Sequence, residues 1–413
     1  MTTDVLSRRS TVRMHQINFI NLVSFILERI TMFTYDKPFL DKRAMFKKLR
    51  YEKNLIINNE DFADEVIRKL SYYDLVNGSK EVFIDKCPDG KEIFKPNTTI
   101  EDLYNFYIIN DEFQNIIVRR LFMVETLFKN ELAYILAREF GVDTKDYLDK
   151  MKYRKSIKTK RQKIKVADIL DKIYKNIRKM GYPTKHYLAK HNHIPPWILL
   201  KNVEFHAAIQ LYEALNNTEK DYVSERLISS SVKDKAGIIK NMLTISRLYR
   251  NEIVHNYKFL TYKDHVNVSV TGISTIVPSE MLVPKSNGKD VYTVILCILI
   301  LLDSDRLRLS FINDIVTFTE QANLYNESLK SIYATYFDLL DLPNDFVNKI
   351  HWYRNYLVNK NASTDETIIQ ANINSKIYHL PGGKYYGKIH KDNILIFKSE
   401  IEAIEAGYRK SKR

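Results

Sequence analysis

A chain of 413 residues with 45% hydrophobic and 28% charged side chains has the balance of a folded protein with more than one core, not of a disordered or fibrous one. Its net charge of +14, from 64 Lys+Arg against 50 Asp+Glu, favours a polyanionic partner. Two distant cysteines, Cys87 and Cys297, exclude a disulfide framework and a cysteine zinc site, so neither metal nor cofactor is expected and the cytoplasm is the expected location.

Residues 16–34 place Ile17, Ile20, Leu22, Phe25, Ile26 and Ile30 at helical spacing, and Lys37-Pro38 ends the pattern. Arg8, Arg9 and Arg13 precede this helix, but no small-residue cleavage site follows it, which argues against a secretory leader. Asp41 to Leu49 and Asn59 to Leu75 read as two further helices, the second capped by Asn59. Val82-Phe83-Ile84, Pro88-Asp89-Gly90 and Glu92-Ile93-Phe94 predict a short hairpin. Thr99 caps the next helix, with Asp102 three residues on.

A long helical period runs from about Asp111 to Phe140. The run Lys152–Lys165 then carries eight basic residues and no acidic one, which suits contact with a phosphate backbone through Arg154, Lys155, Lys158, Lys160, Arg161 and Lys163. Pro195-Pro196 opens a helix from Trp197 to Leu215, with Trp197 read as a core anchor rather than a platform for bases. Residues 232–256 form another helix. Val266 to Val270 alternates with period two and Asn287-Gly288 signals a turn, which together predict a β-excursion. The apolar run Val291–Leu302, 12 residues long, is too short to cross a membrane and reads as a buried helix. Helices continue to residue 358, broken at Leu342-Pro343.

These elements divide the chain into an N-terminal helical extension (1–34), a helical domain (35–265), the β-excursion with C-terminal helices (266–358), a polar linker (359–370) and a small α+β module (371–413). The class is mainly α.

The segment Arg250-Asn251-Glu252-Ile253-Val254-His255 carries the chemistry of interest. Histidine is the side chain that exchanges protons near neutral pH, and arginine is a permanent cation suited to charge on phosphorus. Asn251 can bind phosphate or orient the imidazole. Five helical residues turn about 140°, so Arg250 and His255 do not share a face, whereas Arg247, Asn251 and His255 do. A second copy of the same helix, in a homodimer, would bring the two faces together. The spacing itself is common: Arg8 or Arg9 with His15 fits it too, and His255 could equally be a satisfied histidine near a helix end.

Arg-Asn followed by histidine resembles the active-site motif of the HEPN ribonuclease superfamily. The chain is similar over about residues 35–260 to its AbiD/AbiF-like abortive-infection branch. The similar blocks are Tyr35-Asp36-Lys37-Pro38-Phe39-Leu40, Leu70-Ser71-Tyr72-Tyr73-Asp74-Leu75, Thr98–Leu103 with Tyr107 and Asp111, Val124-Glu125 through Lys129-Asn130, and Pro196-Trp197 with Glu204-Phe205. Asp74 and His206 depart from it, standing where a basic residue and a glycine are usual.

The resemblance implies a HEPN-type helical bundle and a homodimer paired through the motif helices. It also implies metal-independent cleavage of RNA to a 2′,3′-cyclic phosphate and a 5′-hydroxyl, in a toxin that halts phage-infected cells and can be controlled by a small RNA. Arg250, Asn251 and His255 would be catalytic, with Glu125, Lys129, Asn130 and Arg247 supporting them. Glu125 and Lys129, four apart, also fit a plain surface ion pair. A non-catalytic RNA-binding regulator on the same fold is the alternative function, and a lipid-surface protein anchored by the N-terminal helix is a third. Residues 371–413 resemble a small Ada-like module appended to some nucleases, without its cysteines.

Overall fold

The computed structural model describes residues 37–87, 90–158, 162–228, 230, 232–255, 259–263, 265–283, 286–321, 327–365, 369–397 and 400–411. The expected helix at 16–34 and the candidate RNA contacts Lys160 and Arg161 lie outside them. The described chain is mainly helical, with three small antiparallel or mixed sheets. The described residues fall into two compact units, divided between Leu103 and Tyr104.

Local side chains set the helix starts in the first unit. Asn59 accepts from the backbone N–H groups of Asp61 and Phe62, both at 3.0 Å, and starts the helix Glu60–Leu70. Thr99 and Asp102 satisfy each other reciprocally: the Thr99 N–H donates to Asp102 Oδ2 at 2.9 Å and the Asp102 N–H to Thr99 Oγ1 at 3.1 Å. That box starts the helix Ile100–Ile135, which is continuous over 36 residues where the periodicity suggested a later start. The expected hairpin pairs Ile84–Lys86 with Glu92–Phe94, Asp85 opposite Ile93, but Val82 and Phe83, expected in its first strand, end the short helix Lys80–Phe83.

In the second unit, the helix Val291–Leu301 is buried at every position. Asp290 caps it, accepting from the Thr293 N–H at 2.7 Å. Each of its Leu and Ile side chains contributes about 1.5–3 kcal/mol of burial. The helix Lys235–Val254 packs on Val291–Leu301, on Phe205–Ala214 and on Asn217–Leu227. Tyr249 is fully buried, and its hydroxyl lies 2.8 Å from the Lys289 carbonyl and 3.1 Å from that of Tyr262. Residues 369–410 form a four-stranded sheet with strand order 394–397, 369–372, 377–379, 409–410, closed by the helix Glu400–Glu405. Ile369, Ala371, Tyr378, Phe397, Ala403 and Tyr408 make its own core.

Several expectations are corrected. Residues 266–269 are not a strand and Val270–Ile273 is a helical turn. The Val268 N–H donates to the Gly288 carbonyl at 2.9 Å, but among the described residues no strand lies alongside. Gly288 adopts φ +68° there, and a Cβ would fall 2.1 Å from the Val268 carbonyl oxygen. The stretch read as a linker is helical through Asp365, the end of Phe346–Asp365. The single helix expected from Trp197 to Leu215 is two, Pro196–Asn202 and Phe205–Ala214, with Val203 extended between them. Trp197 is 46% exposed, so Ile198, Leu199 and Leu200 anchor that helix instead. The basic run contains an antiparallel pair, Ser156–Lys158 with Lys163–Lys165, that its composition did not announce.

Candidate functional site

The helices Ile100–Ile135 and Lys235–Val254 bring three of the expected residues together. Glu125 holds Lys129 through Oε1 at 2.6 Å and Arg250 through Oε2 at 3.2 Å. The three side chains are only 12–20% exposed, which sets them apart from an ordinary surface ion pair. Lys129 also donates to the Val203 carbonyl at 2.6 Å, and the Arg250 guanidinium lies 5.9 Å from the centre of the Phe205 ring. Phe205 rests on Phe128, ring centres 6.1 Å apart, and Phe128 meets Tyr212 edge-on at 5.9 Å. The break at Val203-Glu204 is therefore part of the site. An unbroken helix would leave the Val203 carbonyl bonded within the helix rather than open to Lys129.

Arg250 Nε is buried and has no hydrogen-bond partner, so the guanidinium is held by its Nη2 bond to Glu125 and by the aromatic ring beneath it. His255 is exposed and forms the C-cap of the motif helix, its N–H donating to the Asn251 carbonyl at 3.0 Å. Asn251 and Arg247 are half-buried, and Asn130 is exposed one position beyond Lys129. The motif thus presents a fixed cation at Arg250 and an accessible imidazole at His255, on different faces of one helix end.

Of the candidate RNA contacts, Lys155, Lys158 and Lys163 are exposed, whereas Arg154 bonds to the Asn217 side chain. Lys152 is spent on the Phe140 carbonyl at 2.6 Å, closing a helix end. Tyr153 is buried, with its hydroxyl on the Tyr147 carbonyl at 2.6 Å, so it supports the fold and offers no stacking face.

Residues 65–261 match the family model described as Abi-like protein. Over that segment the chain is similar to Abi-like proteins. The segment contains both helices of the site and the whole Arg250–His255 motif. No curated protein and no solved structure matches the chain. No helix of the described residues is long and apolar enough to cross a membrane.

One residue of the matched segment gains weight from the structure. His206 follows Phe205, and partial burial of its ring, then the charges of Arg247 and Lys172, lower its pKa below the ordinary histidine value, with Glu204 opposing. It is a second imidazole within the electrostatic reach of the motif helix. In the sequence it stood out only as a departure from a usual glycine.

Proposed function

We propose that this protein is an Abi-like, metal-independent endoribonuclease that stops growth of phage-infected cells. The observation that carries the reading is the Lys129–Glu125–Arg250 chain, which fixes a cation on the same helix end as the accessible His255. An imidazole of His255 takes the proton of a ribose 2′-hydroxyl, and the 2′-oxygen bonds to the adjacent phosphorus. The bond from phosphorus to the 5′-oxygen breaks, and an imidazolium returns a proton to that oxygen. The products are a 2′,3′-cyclic phosphate and a 5′-hydroxyl. Arg250 stabilises the charge that builds on the phosphoryl oxygens, and Asn251 orients the phosphate or the imidazole.

Arg250 and His255 are about 140° apart around the helix, so one copy offers them to different directions. A homodimer paired through this helix supplies two imidazoles, one as base and one as acid. The surplus of positive charge also suits a small RNA as regulator.

The test is total RNA incubated in EDTA with wild type and His255→Ala. Cleavage by wild type alone, giving cyclic phosphate ends, is the expected outcome. Equal cleavage by the variant overturns the assignment of His255. Co-expression of Arg250→Ala and His255→Ala chains is expected to restore part of the activity, and a fully active monomer contradicts the composite site.

A further inference from the structure

A cavity of about 550 Å³ opens at the other end of the motif helix, between it, the Ser156–Lys165 hairpin and the helix Asn217–Leu227. Arg154, Lys158, Lys163, Lys220 and Lys240 line it, against two carboxylates, Glu213 and Asp234. Lys240 is already bound to Glu213. Matching Asp234 to one more cation leaves a local excess of three positive charges in a concave site.

Two features show that this excess is built in. Lys158 and Lys163 are direct cross-strand partners in the hairpin, where like charges repel and destabilise the pair. Lys220 is half-buried, with its ammonium donating to the Glu213 carbonyl at 2.7 Å, and burial with the charges of Arg154 and Lys240 outweighs the opposing carboxylates of Glu213 and Asp221. A fold that keeps such repulsion is relieved when an anion enters. The adjoining cavity of about 370 Å³ adds Asp221 and Glu225 to its lining, so the positive field belongs to the hairpin side.

From this cavity a polar stripe runs along the motif helix. Lys240, Thr244, Arg247, Asn251 and His255 fall within about 80° of one another around the helix axis. The first four are half-buried and His255 is exposed. Lys240 and His255 are about 22 Å apart along the axis, the length of roughly six stacked nucleotides at 3.4 Å each.

We propose that the cavity binds backbone phosphates of an RNA strand that follows the Lys240–His255 stripe. This rests on RNA as the substrate in the preceding reading, but not on cleavage. The occupant is a polyphosphate strand rather than a free nucleotide, because the one aromatic ring in the lining, Tyr212, is fully buried and offers no face to a base.

The experiment is fluorescence anisotropy with a labelled 2′-O-methyl oligoribonucleotide, which cannot be cleaved by 2′-hydroxyl attack. The wild type is compared with Lys158→Ala/Lys163→Ala, with Lys220→Met, and with a charge-matched control, Lys384→Ala/Lys388→Ala in the C-terminal module. The hairpin double variant is expected to bind roughly tenfold more weakly, with a salt slope reduced by about 1.4, while the control stays near wild type. Because the hairpin lysines are exposed and repel, that variant should melt at or above the wild-type temperature, which separates lost binding from lost fold.

Unchanged affinity in the hairpin variant, or an equal loss in the control, overturns the proposal. So does displacement of the strand by micromolar mononucleotide, which would make the cavity a nucleotide pocket. A wild type that cleaves through His255 while the hairpin variant binds normally rejects the cavity and leaves the ribonuclease reading intact. Cavity-dependent binding without any cleavage does the reverse.

Discussion

Glu125 and Arg250 meet at 3.2 Å from helices separated by 125 positions of sequence, and the same carboxylate holds Lys129 at 2.6 Å. One anion thus pairs with two cations in a place where water is scarce, and the cluster keeps one positive charge. Removal of the anion leaves Lys129 and Arg250 facing each other unpaired, which costs more than the pair contributes.

Glu125→Gln is therefore expected to lower stability by about 3 kcal/mol and to abolish RNA cleavage. Urea denaturation of Glu125→Gln, Arg250→Gln and the double variant forms a cycle. The double variant should be more stable than the sum of the single losses implies, by about 1 kcal/mol or more. Strictly additive losses would mean that the contact does not stabilise the fold.

Tyr249 fixes the end of the motif helix from the buried side, one residue before Arg250. Its hydroxyl serves the carbonyls of Lys289 and Tyr262, and the ring meets that of Tyr262 edge-on at 5.1 Å. Tyr249→Phe keeps the packing and strands two carbonyls, a change that costs about 1–2 kcal/mol. The urea midpoint should fall with no change in slope, and kcat should fall more than KM, because the motif is misplaced while RNA contacts remain. A midpoint equal to wild type would contradict this account.

The parts of this structure that sequence could reveal are those fixed by near neighbours. Asn59, and Thr99 with Asp102, cap helices through bonds spanning two or three residues, and Val291–Leu302 is too apolar to lie anywhere but inside. The hairpin Ile84–Phe94 was legible for the same reason. The break at Val203 was not, since no proline or glycine marks it and its causes are Lys129 and the buried Phe205. The alternation at 266–270 promised a strand that found no partner. In the site, Arg250, Glu125 and Lys129 were readable as a motif, but their union depends on helix packing. Lys220 and Lys240 sit on two helices with no spacing rule that joins them to the basic hairpin.

His206 predicts a pH dependence of stability. Its folded pKa lies below the ordinary value near 6.5, chiefly through partial burial and then the charges of Arg247 and Lys172. The unfolded chain therefore binds the proton more readily. Stability is full above the ordinary pKa, falls as pH drops through it, and levels off below the folded value. His206→Gln should flatten that acid-side slope in urea midpoints measured from about pH 7 to pH 5. A slope identical to wild type would assign the acid sensitivity elsewhere.

Lys220 predicts a pH dependence of RNA affinity at the opposite end of the scale. Its pKa is lowered to about 8, first by burial and then by Arg154, with Lys240 adding to the effect and Glu213 and Asp221 opposing it. Asp234 shares the same cavity. The amine is charged below that value and able to meet a phosphate, and it becomes neutral as pH rises through it. Affinity for the 2′-O-methyl strand should then be flat below about pH 7 and weaken above pH 8, with the midpoint displaced upward by the bound phosphates, which favour the charged form. Arginine stays charged throughout this range, so Lys220→Arg should bind with no such dependence. Lys220→Met should bind weakly at every pH. A wild-type profile that Lys220→Arg reproduces would show that another group titrates, and Lys220 would then be a structural residue of the cavity wall.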